Sequence, residues 1–94
     1  MKEFKGTKQE WMRDGRMVSA LEDGENRFYA GFSPGRNCLK GEVEANAQLA
    51  MAAPDLLGAL QAMLSKAYKQ NWNDQYPDEV SKAQAAISKA LGEE

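Results

Sequence analysis

The run Glu42–Leu64 constrains this chain most, because it is the longest stretch with a clear apolar period. Val43, Ala47, Ala50 and Pro54 recur at helical spacing. Glu42 and Glu44 stand in the first turn, where the helix dipole favours acids. Pro54 lacks an amide hydrogen and clashes with the carbonyl four residues back. It also pushes Ala53 away from the α region. The spacing therefore predicts a helix that breaks or kinks at Ala53–Pro54, with Pro54 opening a second helix. Leu56, Leu57, Leu60, Met63, Leu64 and Ala67 form that second helix's apolar face. Gly58 lies off the face and costs about 1 kcal/mol relative to Ala.

Upstream, the pattern changes from helical to alternating. Phe28, Ala30 and Phe32 fall on one face of a strand, and Arg27, Tyr29 and Gly31 on the other. In the preceding run Met17, Ser19 and Leu21 oppose Val18 and Ala20. Asp14-Gly15 carries the signature of a two-residue type I′ hairpin. Asp23-Gly24 marks a second, slightly longer turn. The expectation is an antiparallel three-stranded meander over residues 10–32, preceded by a flexible arm over 1–9 with Phe4 as its anchor. A sheet with one apolar face must be covered.

Downstream, Tyr68–Pro77 reads as a polar, aromatic connector. Pro77 suits the first turn of a last helix, with Asp78 and Glu79 beside it. Val80, Ala83, Ile87, Ala90 and Leu91 make one helical face, and Gly92 ends it. The fold class expected is α+β in a single domain, 1–94. The meander is followed by a kinked helix pair over 42–67 and a C-terminal helix over 77–91, all packed on one sheet face.

Composition narrows the function. The chain of 94 residues has no histidine and one cysteine, Cys38. A Ser–His or Cys–His nucleophile pair is excluded, and a zinc site is disfavoured. Cys38 beside Arg36 and Lys40 is open to a lowered pKa, although an incidental thiol is the stronger reading. Glu42 and Glu44, two apart on a helix, do not share a face for paired acid–base work. The formal net charge of −2 disfavours general nucleic-acid binding. The polar start of the chain lacks a signal core. Pro54, Asp55, Asn46, Gln48 and Gln61 interrupt the apolar run too often for a membrane span. No enzyme, cofactor, metal or membrane association is expected.

Three groups are candidate binding residues. Tyr68, Trp72 and Tyr76 are aromatic anchors for a partner or caps on a small core. Glu22, Asp23 and Glu25 make an acidic hairpin tip, suited to a basic partner or simply solvated. Ser33, Arg36, Lys40 and Gly41 precede a helix N-terminus that can hold an anion, although no Walker sequence is present. Trp11 reads as core or sheet-face packing. The small-residue face of Val43, Ala47, Ala50 and Met51 would let a second copy approach in a homodimer.

Two stretches carry a resemblance. Phe4-Lys5-Gly6-Thr7 followed by Trp11 is similar to a Phe-Lys-Gly-Thr-Pro-Gly-Pro-Trp pattern. Glu44-Ala45-Asn46-Ala47-Gln48-Leu49, then Ala52-Ala53-Pro54-Asp55-Leu56-Leu57 and Ala59-Leu60, resembles a Glu-Ala-Asn-Ala-x-Leu…Ala-Ala-Pro-Asp-Leu-Leu signature. Both patterns occur in a family of small, largely uncharacterised proteins encoded by tailed phages and bacterial prophages. The chain departs at Lys8, Gln9 and Glu10, which replace Pro-Gly-Pro, and at Gly58, where an acid is common. The resemblance implies a phage accessory protein in the cytoplasm of a bacterial host, with no catalytic residues to carry over. It implies a non-enzymatic interaction protein that modulates or inhibits a host protein, including anti-defence (anti-CRISPR-like) roles. The alternatives are an oligomer that sequesters a small ligand or nucleotide signal, or a minor phage structural or assembly protein.

Overall fold

Two tight turns organise the N-terminal sheet of the computed structural model, which describes residues 4–93. Strand β1 (Trp11–Asp14) pairs antiparallel with β2 (Met17–Glu22), and β2 with β3 (Glu25–Gly31), in the order β1-β2-β3. At the first turn φ is positive at Gly15 (61°) but not at Arg16. That is the φ signature of a type II′ turn, not the expected type I′. The I′ pattern occurs at the second turn, where Asp23 (54°) and Gly24 (81°) are both positive. Glu22 pairs directly with Glu25, so this turn is no longer than the first. A bulge follows, because Ala20 pairs with Phe28 and Leu21 with Asn26, leaving Arg27 extra.

The register puts Trp11, Val18, Ala20 and Phe28 on one face. Val18 and Ala20 are fully buried there. Trp11 and Phe28 meet edge to face at 4.9 Å, and the Trp11 indole N–H donates to the Thr7 carbonyl at 3.1 Å. That bond ties down the end of the expected arm; residues 1–3 of the arm lie outside the described residues. The other face keeps Met12, Met17, Leu21 and Tyr29 exposed.

Helix α1 (Glu42–Lys69) runs through Pro54 without interruption. Of the break or kink expected at Ala53–Pro54, the break does not occur. Proline's cost is local, one lost hydrogen bond and one clash. Ala- and Leu-rich sequence on both sides propagates the helix, one bond per residue added. The connector is also more ordered than its polarity suggested. Tyr68 belongs to α1, Asn71 turns the chain with φ 60°, and Trp72–Gln75 form a short helix, α2. Helix α3 (Pro77–Leu91) begins at Pro77 as expected. It closes with Gly92 at φ 76°, whose N–H reaches Lys89, while Glu93 N–H reaches Ser88. That is a Schellman end.

By its internal contacts the chain divides into two compact units, one comprising Gly6–Pro54 and the other the residues from Asp55 onward. The first buries Val18 and Ala20 of the sheet and Val43 and Ala47 of α1. Arg13 Nε donates to Gln48 Oε1 at 2.7 Å, joining β1 to this part of α1. In the second unit Leu64, Val80 and Ile87 form the core, with Leu57, Leu60, Ala83 and Leu91 against it. The apolar stripe of α3 packs on Leu57, Leu60 and Leu64 of α1.

Candidate functional site

The end of α1, the short α2 and the start of α3 build a groove in the second unit. Asn71 in the left-handed conformation reverses the chain within two residues. Tyr76 N–H closes back on the Trp72 carbonyl, so the two aromatic residues stand one helical turn apart. Their rings meet edge to face, 5.8 Å between centroids and 75° between planes. The groove has a volume of about 410 Å³ and a wall that is almost entirely apolar. Met63, Leu64 and Val80 line it with the two aromatic residues, and Glu79 is the acidic residue of the lining. Met63 is 63% exposed and Tyr76 49%, which is much apolar area left in water.

Tyr68 does not join this pair. It lines a separate depression of about 340 Å³ with Gln84, Ile87 and Ser88. The sequence grouped all three aromatics on one connector. Because α1 extends past Tyr68, the helical rotation separates it from Trp72. Met63 and Glu79 went unselected from sequence. Glu79 was read as a helix-start acid, yet it lies three residues after Tyr76 on α3, a spacing that shares a face.

The acidic tip is partly neutralised. Glu22 Oε2 and Arg27 Nε lie 3.3 Å apart across the bulge, and Glu22, Asp23, Glu25 and Arg27 surround an open depression of about 430 Å³. Both side chains of the ion pair are well exposed, so the pair is worth a fraction of about 1 kcal/mol.

Ser33, Arg36, Lys40 and Gly41 lie on an exposed loop. Glu42 N–H donates to the Leu39 carbonyl and Ala45 N–H to that of Gly41. The Glu42 and Glu44 carboxylates head the helix there, and their charge opposes an anion. At Cys38 the weaker of the two readings, a lowered pKa, does not hold. Its Sγ–H donates to Glu42 Oε2 at 3.1 Å. That bond, with slight desolvation and the Glu42 charge, holds the thiol above its usual pKa, not below it. The small-residue face is not spare either. Val43 and Ala47 are buried, and Ala50 and Met51 half-buried.

Among the described residues no helix is long and apolar enough to cross a membrane. A family model described as Salmonella phage P22 protein Y8K6 matches residues 1–94. No curated protein and no solved structure gives a significant match.

Proposed function

The chain belongs to the family of Salmonella phage P22 protein Y8K6, and on that premise we propose that it is a non-enzymatic, phage-encoded interaction protein. It binds a host protein in the cytoplasm of the infected or lysogenic bacterium and modulates or inhibits it, with host defence proteins among the targets. One observation carries this reading: the apolar groove flanked by the exposed Trp72–Tyr76 pair. Aromatic side chains set around a desolvated pocket are the usual anchors of protein recognition. The groove suits an apolar side chain of the partner, with a basic residue beside Glu79.

The chemistry on hand supports binding over catalysis. The chain has no histidine, and the hydrogen bond to Glu42 raises the pKa of its one thiol. A reactive cysteine needs the opposite environment. The test is affinity purification with mass spectrometry from an infected or lysogenic host, wild type beside Trp72→Ala. The expected result is a host protein recovered by the wild type and lost with the variant. Recovery of no host protein above background, or equal recovery by a folded Trp72→Ala, overturns the reading.

A further inference from the structure

The chemistry of the Trp72–Tyr76 groove narrows what can enter it, and all of its lining lies within the second unit. The two ring planes stand 75° apart, so they form two walls of a corner and not a flat stack. Both residues are about half open to water, at 42% and 49% exposure. Among the lining side chains, polar atoms belong only to Glu79 and to the tips of the two aromatic residues; Met63, Leu64 and Val80 are apolar. The surrounding chain is acidic. Between Gln70 and Ser81 stand Asp74, Asp78 and Glu79 and no base, and all three acids are exposed. Among the described residues no ion pair or hydrogen bond engages their carboxylates. Aromatic faces attract a cation held within about 6 Å of a ring centroid, and unpaired carboxylates beside them add to the same field.

We propose that this groove is an aromatic cage for a trimethylated lysine side chain of the host partner, an inference that rests on the groove being the host-protein anchor. The choice among cations follows from hydrogen bonding. An unmodified lysine brings three N–H donors and an arginine five. Apolar walls with one carboxylate cannot accept them all, and a donor stripped of water and left unmatched is costly. A trimethylammonium group keeps the positive charge, has no N–H donor, and presents methyl groups to the rings. Its four-methylene stem suits the apolar lining of Leu64 and Val80, and the groove of about 410 Å³ has room for stem and head together. The acids select the source of the group. A choline head on a phosphate would bring an anion beside Asp74, Asp78 and Glu79, whereas a lysine brings none.

The experiment is an NMR titration of the full chain, following the methyl signals of Leu64 and Val80, with circular dichroism to verify the fold of each variant. The probes are the blocked amino-acid amide of trimethyl-lysine, the same amide of unmodified lysine, the uncharged tert-butyl isostere, and phosphocholine. Trimethyl-lysine amide is expected to bind roughly tenfold more tightly than each of the others, the margin a desolvated cation–π site gives. Trp72→Leu, which keeps an apolar wall but removes the π-face, is expected to abolish that margin, and Trp72→Phe to keep part of it. Glu79→Gln is expected to weaken the trimethyl-lysine probe severalfold and to leave the tert-butyl isostere unchanged. Equal binding of trimethyl-lysine and the isostere, or of trimethyl-lysine and phosphocholine, overturns the proposal, as does a margin that survives Trp72→Leu. Each of these outcomes leaves capture of a host protein by the wild type untouched, so the cage can fail while the host-partner reading stands. A final arm adds trimethyl-lysine amide to the host protein captured by the wild type. Its release is expected, and retention of the partner at saturating probe overturns the assignment of the cage to that partner.

Discussion

The indole of Trp72 and the phenol of Tyr76 meet edge to face, with 5.8 Å between ring centroids, while both remain about half exposed. An aromatic pair of this geometry contributes about 0.5–1.5 kcal/mol beyond its area. About half of that area is left in water. Trp72→Ala is therefore expected to lower stability by about 1–2 kcal/mol. The loss is small beside the expected loss of host-partner capture. Urea denaturation gives the first quantity and affinity purification the second. A Trp72→Ala chain that loses its fold outright would assign the pair to the core instead.

Ile87 is 2% exposed and packs with Leu64 and Val80. Ile87→Ala removes buried methyls and leaves a cavity, at an expected cost of about 2–5 kcal/mol. The surrounding unit is small, so this is a large share of the stability of a domain. Ala83→Gly, on the same face but half-buried, should cost about 1 kcal/mol through helix propensity. Thermal melts followed at the helix signal separate the two.

These residues also show what was legible in sequence. The α3 stripe, Pro77 at its start and Gly92 at its end could be read because each is a local rule with one favoured solution. The sheet could be read from alternation, and Asp23-Gly24 from its tolerance of positive φ. What escaped notice depends on how far an element propagates. A connector rich in Asn, Gln and Tyr looks like loop, yet α1 runs to Lys69 and rotates Tyr68 away from Trp72. Glu79 looked like a helix-start acid because the groove it lines exists only after α1 and α3 pack.

The Cys38–Glu42 bond makes a pH-dependent prediction. The folded-state pKa of the thiol lies above its unfolded value, mainly because Glu42 accepts its hydrogen bond. Folding thus favours the protonated thiol. Any stabilisation is fully present below the usual thiol pKa and is lost as pH rises through the higher folded value. Cys38 is exposed to solvent at this bond, so the effect on stability is slight and the effect on reactivity is the readout. Glu42→Ala removes the acceptor and its charge. Alkylation of Cys38 by iodoacetamide at mildly alkaline pH is expected to quicken severalfold in the variant, with its pH midpoint moved down. An unchanged midpoint would show that Glu42 does not control the thiol.

Pro54 inside α1 supplies the last prediction, because two opposing effects must be weighed. A proline in a helix interior removes the bond to the carbonyl four residues back, here that of Ala50, and its ring presses on that carbonyl. The penalty is about 3 kcal/mol. Against it, proline restricts the unfolded chain and so returns about 0.4–1 kcal/mol. Pro54→Ala is therefore expected to stabilise the protein by about 2 kcal/mol and raise its denaturation midpoint with no change in the slope. Helix content should stay as it is, since the helix already passes through this position. A rise in helix content would show that the proline does interrupt α1 in solution. A loss of stability would show that the fold uses a bend at this point.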